Sequence, residues 1–228
     1  TLFMQVLLGY SSMQSGLALS PGGIASLVML PIVGILTSRV DARILTTFGI
    51  SVIAMAIFGM GRFSLDIDFR SIVEARMVQA FGMAFVFVPL SALAFSYVPR
   101  EARNMASSLN SVARNIGGSV GIAVSTMLVT RLGQVHQVAL VGHLTPYDSG
   151  YTSTLQTMTQ MIASQSGDPV SAATQAQAMA YGIVRQQAAT LAFVDVFRIT
   201  AFFAVLILPM IWLMRRAPRQ GDSDMAVH

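Results

Sequence analysis

The chain has 228 residues, of which 54% are hydrophobic and only 11% charged, and its mean hydropathy is +0.65, which places it in a membrane rather than among soluble globular proteins. The net charge of +4 comes from 14 basic residues, all of them arginine, and these form no phosphate-tracking face, so nucleic-acid binding is set aside. With no cysteine there are no disulfides, thiolate metal sites or cysteine nucleophiles.

The chain opens at Thr1 inside an apolar segment, without an initiator methionine, and is expected to be a fragment lacking its N-terminal part. Residues 1–16 read as the end of a truncated span and an outer loop. Residues 17–130 hold four transmembrane spans, at about 17–37, 44–60, 72–98 and 104–130. The first contains Pro21, Gly22, Gly23 and Pro31, a density that would break a soluble helix but is tolerated where neighbouring helices satisfy the freed backbone groups. Residues 131–190 form a long external loop, and such loops usually carry structure or function. Residues 134–144 can continue the fourth span outward until Pro146, and Asp168-Pro169 is a helix start, an N-cap followed by proline at the first helical position. Two helices are thus expected to project above the membrane, with residues 152–164 between them. Residues 191–214 are the last span and 215–228 a polar tail.

Arginine bias orients these spans. Arg39 and Arg43, Arg100 and Arg103, and Arg215, Arg216 and Arg219 fall in short segments on one side. Arg62, Arg70, Arg131 and Arg185 are spread over the longer connections of the other. The first side is expected to be cytoplasmic, the tail with it, and the loop at 131–190 external.

The fourth span carries the most costly residue. Arg114 lies eleven residues beyond Arg103, about 16 Å along a helix and roughly half of a ~30 Å hydrocarbon core. An arginine there costs at least ~2.5 to 3.5 kcal/mol, so it is expected to face protein or a wet cavity. Asn110, Arg114, Gly117, Gly121 and Ser125 share one helical face by their spacing. Gly117, Gly121 and Ser125 form a small-xxx-small ridge that reads as helix packing. Arg114 with Asn110 reads as cavity lining, a structural ion pair being the alternative. Arg76 and Gln79 in the third span line the cavity or snorkel to the interface. In the last span Asp195 and Arg198, three apart, read as an outer ion pair, a proton or substrate site being the alternative. His136 and His143 have no acidic neighbour in sequence and do not read as a metal site. No phosphate loop, paired catalytic carboxylates or serine–histidine–aspartate grouping appears, and no enzyme is expected.

Several strings resemble known transporters. Gly34-Ile-Leu-Thr-Ser-Arg39-Val-Asp41-Ala-Arg43 resembles the second-half loop motif of the major facilitator superfamily, and Arg76-Met-Val-Gln79-Ala-Phe-Gly82 its arginine–glutamine–glycine helix motif. The strings at 9–23, 88–90, 99–103, 114–123 and 191–197 are similar to the fourteen-span EmrB/QacA-type drug:proton antiporters, and that at 136–147 to their Gram-negative EmrB branch. The resemblance implies an all-α integral membrane fold, the second six-helix bundle of a major facilitator with about five full spans and a truncated one. It implies a proton-coupled multidrug efflux transporter of the bacterial inner membrane that exports hydrophobic or cationic compounds by alternating access. It implies no cofactor, the proton gradient being the energy source, and in that branch a periplasmic adaptor protein and an outer-membrane channel as partners. Gly34, Arg39, Asp41 and Arg43 would form a gating loop, although Ser38 and Asp41 depart from the family's usual aspartate and glycine. Rival readings are a facilitator for a defined metabolite and a non-transporting assembly or anchoring subunit.

Overall fold

The computed structural model describes residues 3–63, 67–96, 98–142, 148–166 and 168–213, and every regular element among them is helical. A short π-helix, Phe3–Leu7, precedes α1 (Ser12–Arg39), α2 (Ala42–Met60), α3 (Phe69–Ser96), α4 (Arg103–Gly142), α5 (Ser149–Ser166) and α6 (Pro169–Leu213). A single 3-10 turn, Arg100–Ala102, leads into α4. All but α5 are long and apolar enough to cross a membrane, which makes this an all-α multi-pass membrane fold.

Local chemistry sets the helix ends. Before α1, the Gln14 amide donates to Ser11 Oγ at 3.2 Å while the Ser11 amide donates to Gln14 Oε1 at 2.9 Å, a reciprocal capping box. The helix therefore starts at Ser12, ahead of the apolar run at 17. Asp41 caps α2 by accepting from the Arg43 amide, and Asp168 caps α6 by accepting from the amides of Val170 and Ser171. Nothing then interrupts α6, so one helix carries both the outer connection and the last span. Likewise α4 is continuous through residue 142. The stretch 152–164, expected as a connector between two outer helices, is instead the body of a third, α5. Asp148 starts it through Gly150 and Thr152, and α5 lies against α6.

Neighbours run in the order α1, α3, α2, α6, α4. Gly22 lies over Arg76 and Ser26 donates to the Ala80 carbonyl, pairs that keep the same sequence offset, so α1 and α3 are parallel. Between them in sequence, α2 crosses α3 antiparallel, where Gly49 meets Gly82 and Phe85. One apolar cluster joins Met4, Leu7, Ala18 and Ile72 near the start of α1, and a second joins Val33, Leu45, Ala84 and Phe85 near its end. The Gln186 amide ties α6 to the π-helix through the Leu7 carbonyl at 2.7 Å. At the other end Arg43 Nη1 reaches the Trp212 carbonyl at 3.5 Å, beside the last turn of α6. The α1–α2 turn, the α3–α4 turn and the end of α6 thus gather at one end of the bundle. Turn residues 64–66 and tail residues 214–228, with Arg215, Arg216 and Arg219, lie outside the described residues.

Candidate functional site

A cavity of about 250 Å³ opens between α1 and α3, lined by Leu19, Gly22, Gly23, Ser26, Arg76, Gln79, Ala80 and Met83. Its shape follows from small residues: a Cβ on Gly22 would stand 3.3 Å from both the Ala80 Cβ and the Arg76 carbonyl. Where α1 has no side chain, its backbone comes close to α3, and Gly23 beside it leaves space. The polar wall belongs to α3. Arg76 and Gln79 are half-buried, three residues apart on one face, and Arg76 Nη1 donates to Gln79 Oε1 at 2.8 Å. The nearest acid in sequence, Glu74, is turned away and pairs with Arg70 at 2.8 Å on an exposed face. The cavity therefore combines one fixed positive charge, an amide and apolar or small walls. Such a lining buries apolar bodies without directionality and orients them with a few polar groups.

Arg114 and Asn110 stand apart from this cavity. Arg114 lies over the Phe87 ring of α3, its Cζ 5.4 Å from the ring centroid, while Asn110 is half-buried one turn earlier. Phe87 is nine residues from the end of α3 and Arg114 eleven from the start of α4, so the contact joins similar depths. A cation–π contact supplies about 0.5–2 kcal/mol, less than the cost of a mid-membrane arginine. The contact sets the exposed Arg114 against α3 without offsetting the whole cost. Along the same face, Gly117 and Gly121 meet no atom within 4 Å of where a Cβ would stand, and Ser125 is exposed. Within the described residues this ridge packs against nothing. The close helix approach is elsewhere, at Gly49 and Gly82, where an added Cβ would lie 2.8 Å from neighbouring atoms.

In the loop motif, Gly34 has open space around its Cα and Arg39 is exposed. Asp41 caps α2, and Arg43 carries the reach to α6. The motif therefore brings three helices together at one end of the bundle.

At the opposite end, Asp195 has a nearer partner than sequence spacing suggests. Arg198 Nη1 stands 3.9 Å from Asp195 Oδ1, a loose pair. His136 Nε2, from α4, lies 2.7 Å from Asp195 Oδ2. The acidic neighbour that His136 lacks in sequence is thus supplied by α6, fifty-nine residues away. His143 lies outside the described residues. Among those described, no three His, Asp or Glu side chains gather as metal ligands.

Comparison with known proteins fits this architecture. The chain is 27% identical to the probable multidrug resistance protein EmrY of Escherichia coli over 213 residues, 93% of this chain and 40% of that protein. It is 25% identical to the fatty acid resistance protein FarB of Neisseria gonorrhoeae over 222 residues, 97% of this chain and 42% of that protein. With the multidrug export protein EmrB of E. coli it shares 30% identity over 146 residues, 64% of this chain and 28% of that protein. The chain thus spans well under half the length of these relatives. The profile of the Major Facilitator Superfamily matches residues 1–143, which include α1 to α3, the cavity between α1 and α3 and the full length of α4. From a membrane bundle of this helix order, a cavity with the Arg76–Gln79 wall and a profile match over most of its length, the chain belongs to the major facilitator superfamily.

Proposed function

We propose that this chain is part of a proton-coupled exporter of hydrophobic or cationic drug-like compounds, working by alternating access in a bacterial inner membrane. The observation that carries the reading is the cavity between α1 and α3, polar only along Arg76, Gln79 and Ser26. Leu19, Ala80 and Met83 accept varied apolar shapes, methionine especially because it is unbranched and polarizable. Similarity over 93% of the chain to a protein named for multidrug resistance, and over 64% to one named for multidrug export, supports the substrate class. A guanidinium keeps its proton across the physiological range, so Arg76 and Arg114 supply fixed positive charge and do not carry the proton themselves. Their role is to hold a carboxylate ionised or to reject the wrong charge.

On this reading, the arginine-bearing end with Arg39, Arg43 and Arg103 faces the cytoplasm and α5 faces outward. At about 1.5 Å per residue, α4 and α6 are about 60 Å and 67 Å long against a ~30 Å core, so both project well beyond it. A periplasmic adaptor that passes substrate to an outer-membrane channel would dock on the projecting part.

The test uses the full-length gene product in proteoliposomes, with drug-driven proton flux as readout. Arg76→Ala is expected to lower flux about tenfold and Arg114→Leu by a similar factor, at matched folded protein, on the scale of removing one polar contact from a binding site. Wild-type flux in Arg76→Ala would remove the cavity from the mechanism. A wild type that moves no compound, or only one metabolite, would favour the rival readings.

A further inference from the structure

We propose that His136 and Asp195 form a proton-binding clasp that holds α4 against α6 when protonated and loosens when the proton leaves. The clasp itself stands on geometry, and only its use in transport rests on the proton-driven reading above. Three observations meet here. The pair is short, 2.7 Å between Nε2 and Oδ2. Its side chains are 27% and 33% exposed, so water reaches them and they can exchange protons. It also joins helices with few other polar ties: α4 has no buried residue, a Cβ on Gly133 would only just reach Ala192 at 3.9 Å, and Gln137 donates to Tyr181 Oη. A single charged contact therefore has leverage over a helix that otherwise lies on the surface of the bundle.

The chemistry is a proton transfer between water and the imidazole. Protonation adds one positive charge at His136 and makes the contact to the Asp195 carboxylate an ion pair as well as a hydrogen bond, stronger than the bond from a neutral ring. Loss of the proton to water leaves a neutral ring facing the carboxylate and removes the attraction between opposite charges. Imidazole is the side chain suited to exchanging a proton with water near neutral pH. The surrounding charges leave the role to this pair. On α6, Arg198 stands 3.9 Å from the second carboxylate oxygen, and Tyr181 and Arg185 lie further along the helix. On α4 the other charges are Arg103, Arg114 and Arg131. From the end of α2, Arg62 lies over the Phe58 ring. The titratable group of α5 is Tyr151, and the π-helix has none. No second acid faces the imidazole from these elements.

Spin labels at Val138 on α4 and Gln187 on α6, both exposed, report the helix separation in the full-length protein in nanodiscs. The short-distance population is expected to fall about threefold or more from about pH 5.5 to about pH 8.5. His136→Gln should show the loosened distribution at both pH values. His136→Arg, with a permanent charge, should show the tight one at both. Asp195→Asn should also lose the dependence, which guards against a folding defect peculiar to one variant. A wild type whose distances do not change with pH, or a His136→Gln protein that titrates like wild type, overturns the clasp. Proton flux measured on the same samples separates the two proposals: distances that respond without any flux keep the clasp and sink the exporter, and flux without any distance response does the reverse.

Discussion

At the residue scale, Asp168 shows how one side chain can fix a large element. Its carboxylate accepts from the Val170 and Ser171 amides at 3.1 and 3.3 Å, and the Val170 amide first, then the Ser171 side chain and amide, hold its pKa below the ordinary 3.8. A depressed carboxyl contributes stability that is present above the unfolded value and lost as pH falls through the folded one. The protection of the Val170 and Ser171 amides from hydrogen exchange, taken relative to their intrinsic rates at each pH, is therefore expected to fall several-fold below about pH 4, and Asp168→Ala should show the same fraying already at neutral pH. Equal exchange in wild type and variant would dismiss the cap. Arg76 and Arg114 differ for a reason of the same scale. Arg76 has an amide partner on its own helix, legible from the spacing of three, whereas Arg114 finds a ring on another helix. His136 is visible in the sequence but its partner is not, because the carboxylate arrives from another helix and no local pattern announces it.

At the element scale, the crossing of α2 and α3 depends on having no side chain at two positions. Lipid is as apolar as leucine, so helices in a membrane associate through close packing rather than through the hydrophobic effect. A Cβ on Gly49 would lie 2.8 Å from the Gly82 carbonyl and the Phe85 Cβ, and a Cβ on Gly82 would lie 2.8 Å from Ile53 Cγ1. Phe48, Phe81 and Phe85 stack beside the crossing, with centroids 4.9 to 6.4 Å apart, and restrict any sideways escape. Gly49→Ala or Gly82→Ala is expected to cost about 1–3 kcal/mol by overpacking and to lower the thermal midpoint in detergent. Gly59→Ala, with nothing within 4 Å, should melt like wild type. If Gly49→Ala and Gly59→Ala melt alike, the helices do not approach as described. The ridge of Gly117, Gly121 and Ser125 carries the more conspicuous motif yet touches nothing within the described residues, while Gly49 stands in no such motif. Spacing reveals that a face is small, not which neighbour it meets.

At the scale of the whole molecule, helix order decides which ends lie together. The parallel run of α1 and α3, with α2 and α6 crossing back, puts Arg39, Arg43 and Arg103 at one end and α5 at the other. With no native cysteine in the chain, single introduced cysteines can test the proposed orientation. Ser38→Cys is expected to react with an impermeant maleimide only from the cytoplasmic side, and Gln137→Cys only from the outside. A photo-crosslinker on that same Gln137→Cys should capture the adaptor in membranes that contain it. Labelling of both cysteines from one side would overturn the topology, and crosslinks confined to this chain would count against docking.

The sequence by itself determined that the chain is a helical membrane protein, roughly where its spans lie, which loops carry arginine and which superfamily it resembles. These follow from hydropathy, breakers and local motifs, all of which act over a few turns of helix. It also put Arg76 beside Gln79, because residues three apart on a helix must share a face. Only the tertiary structure decided that α1 and α3 enclose a cavity, that Gly49 and Gly82 are the tight crossing, that residues 149–166 are a helix packed on α6, and that Asp195 meets His136 before Arg198. Each of these depends on how separate helices are placed against one another, and in lipid that placement comes from shape and a few polar contacts between segments far apart in the chain.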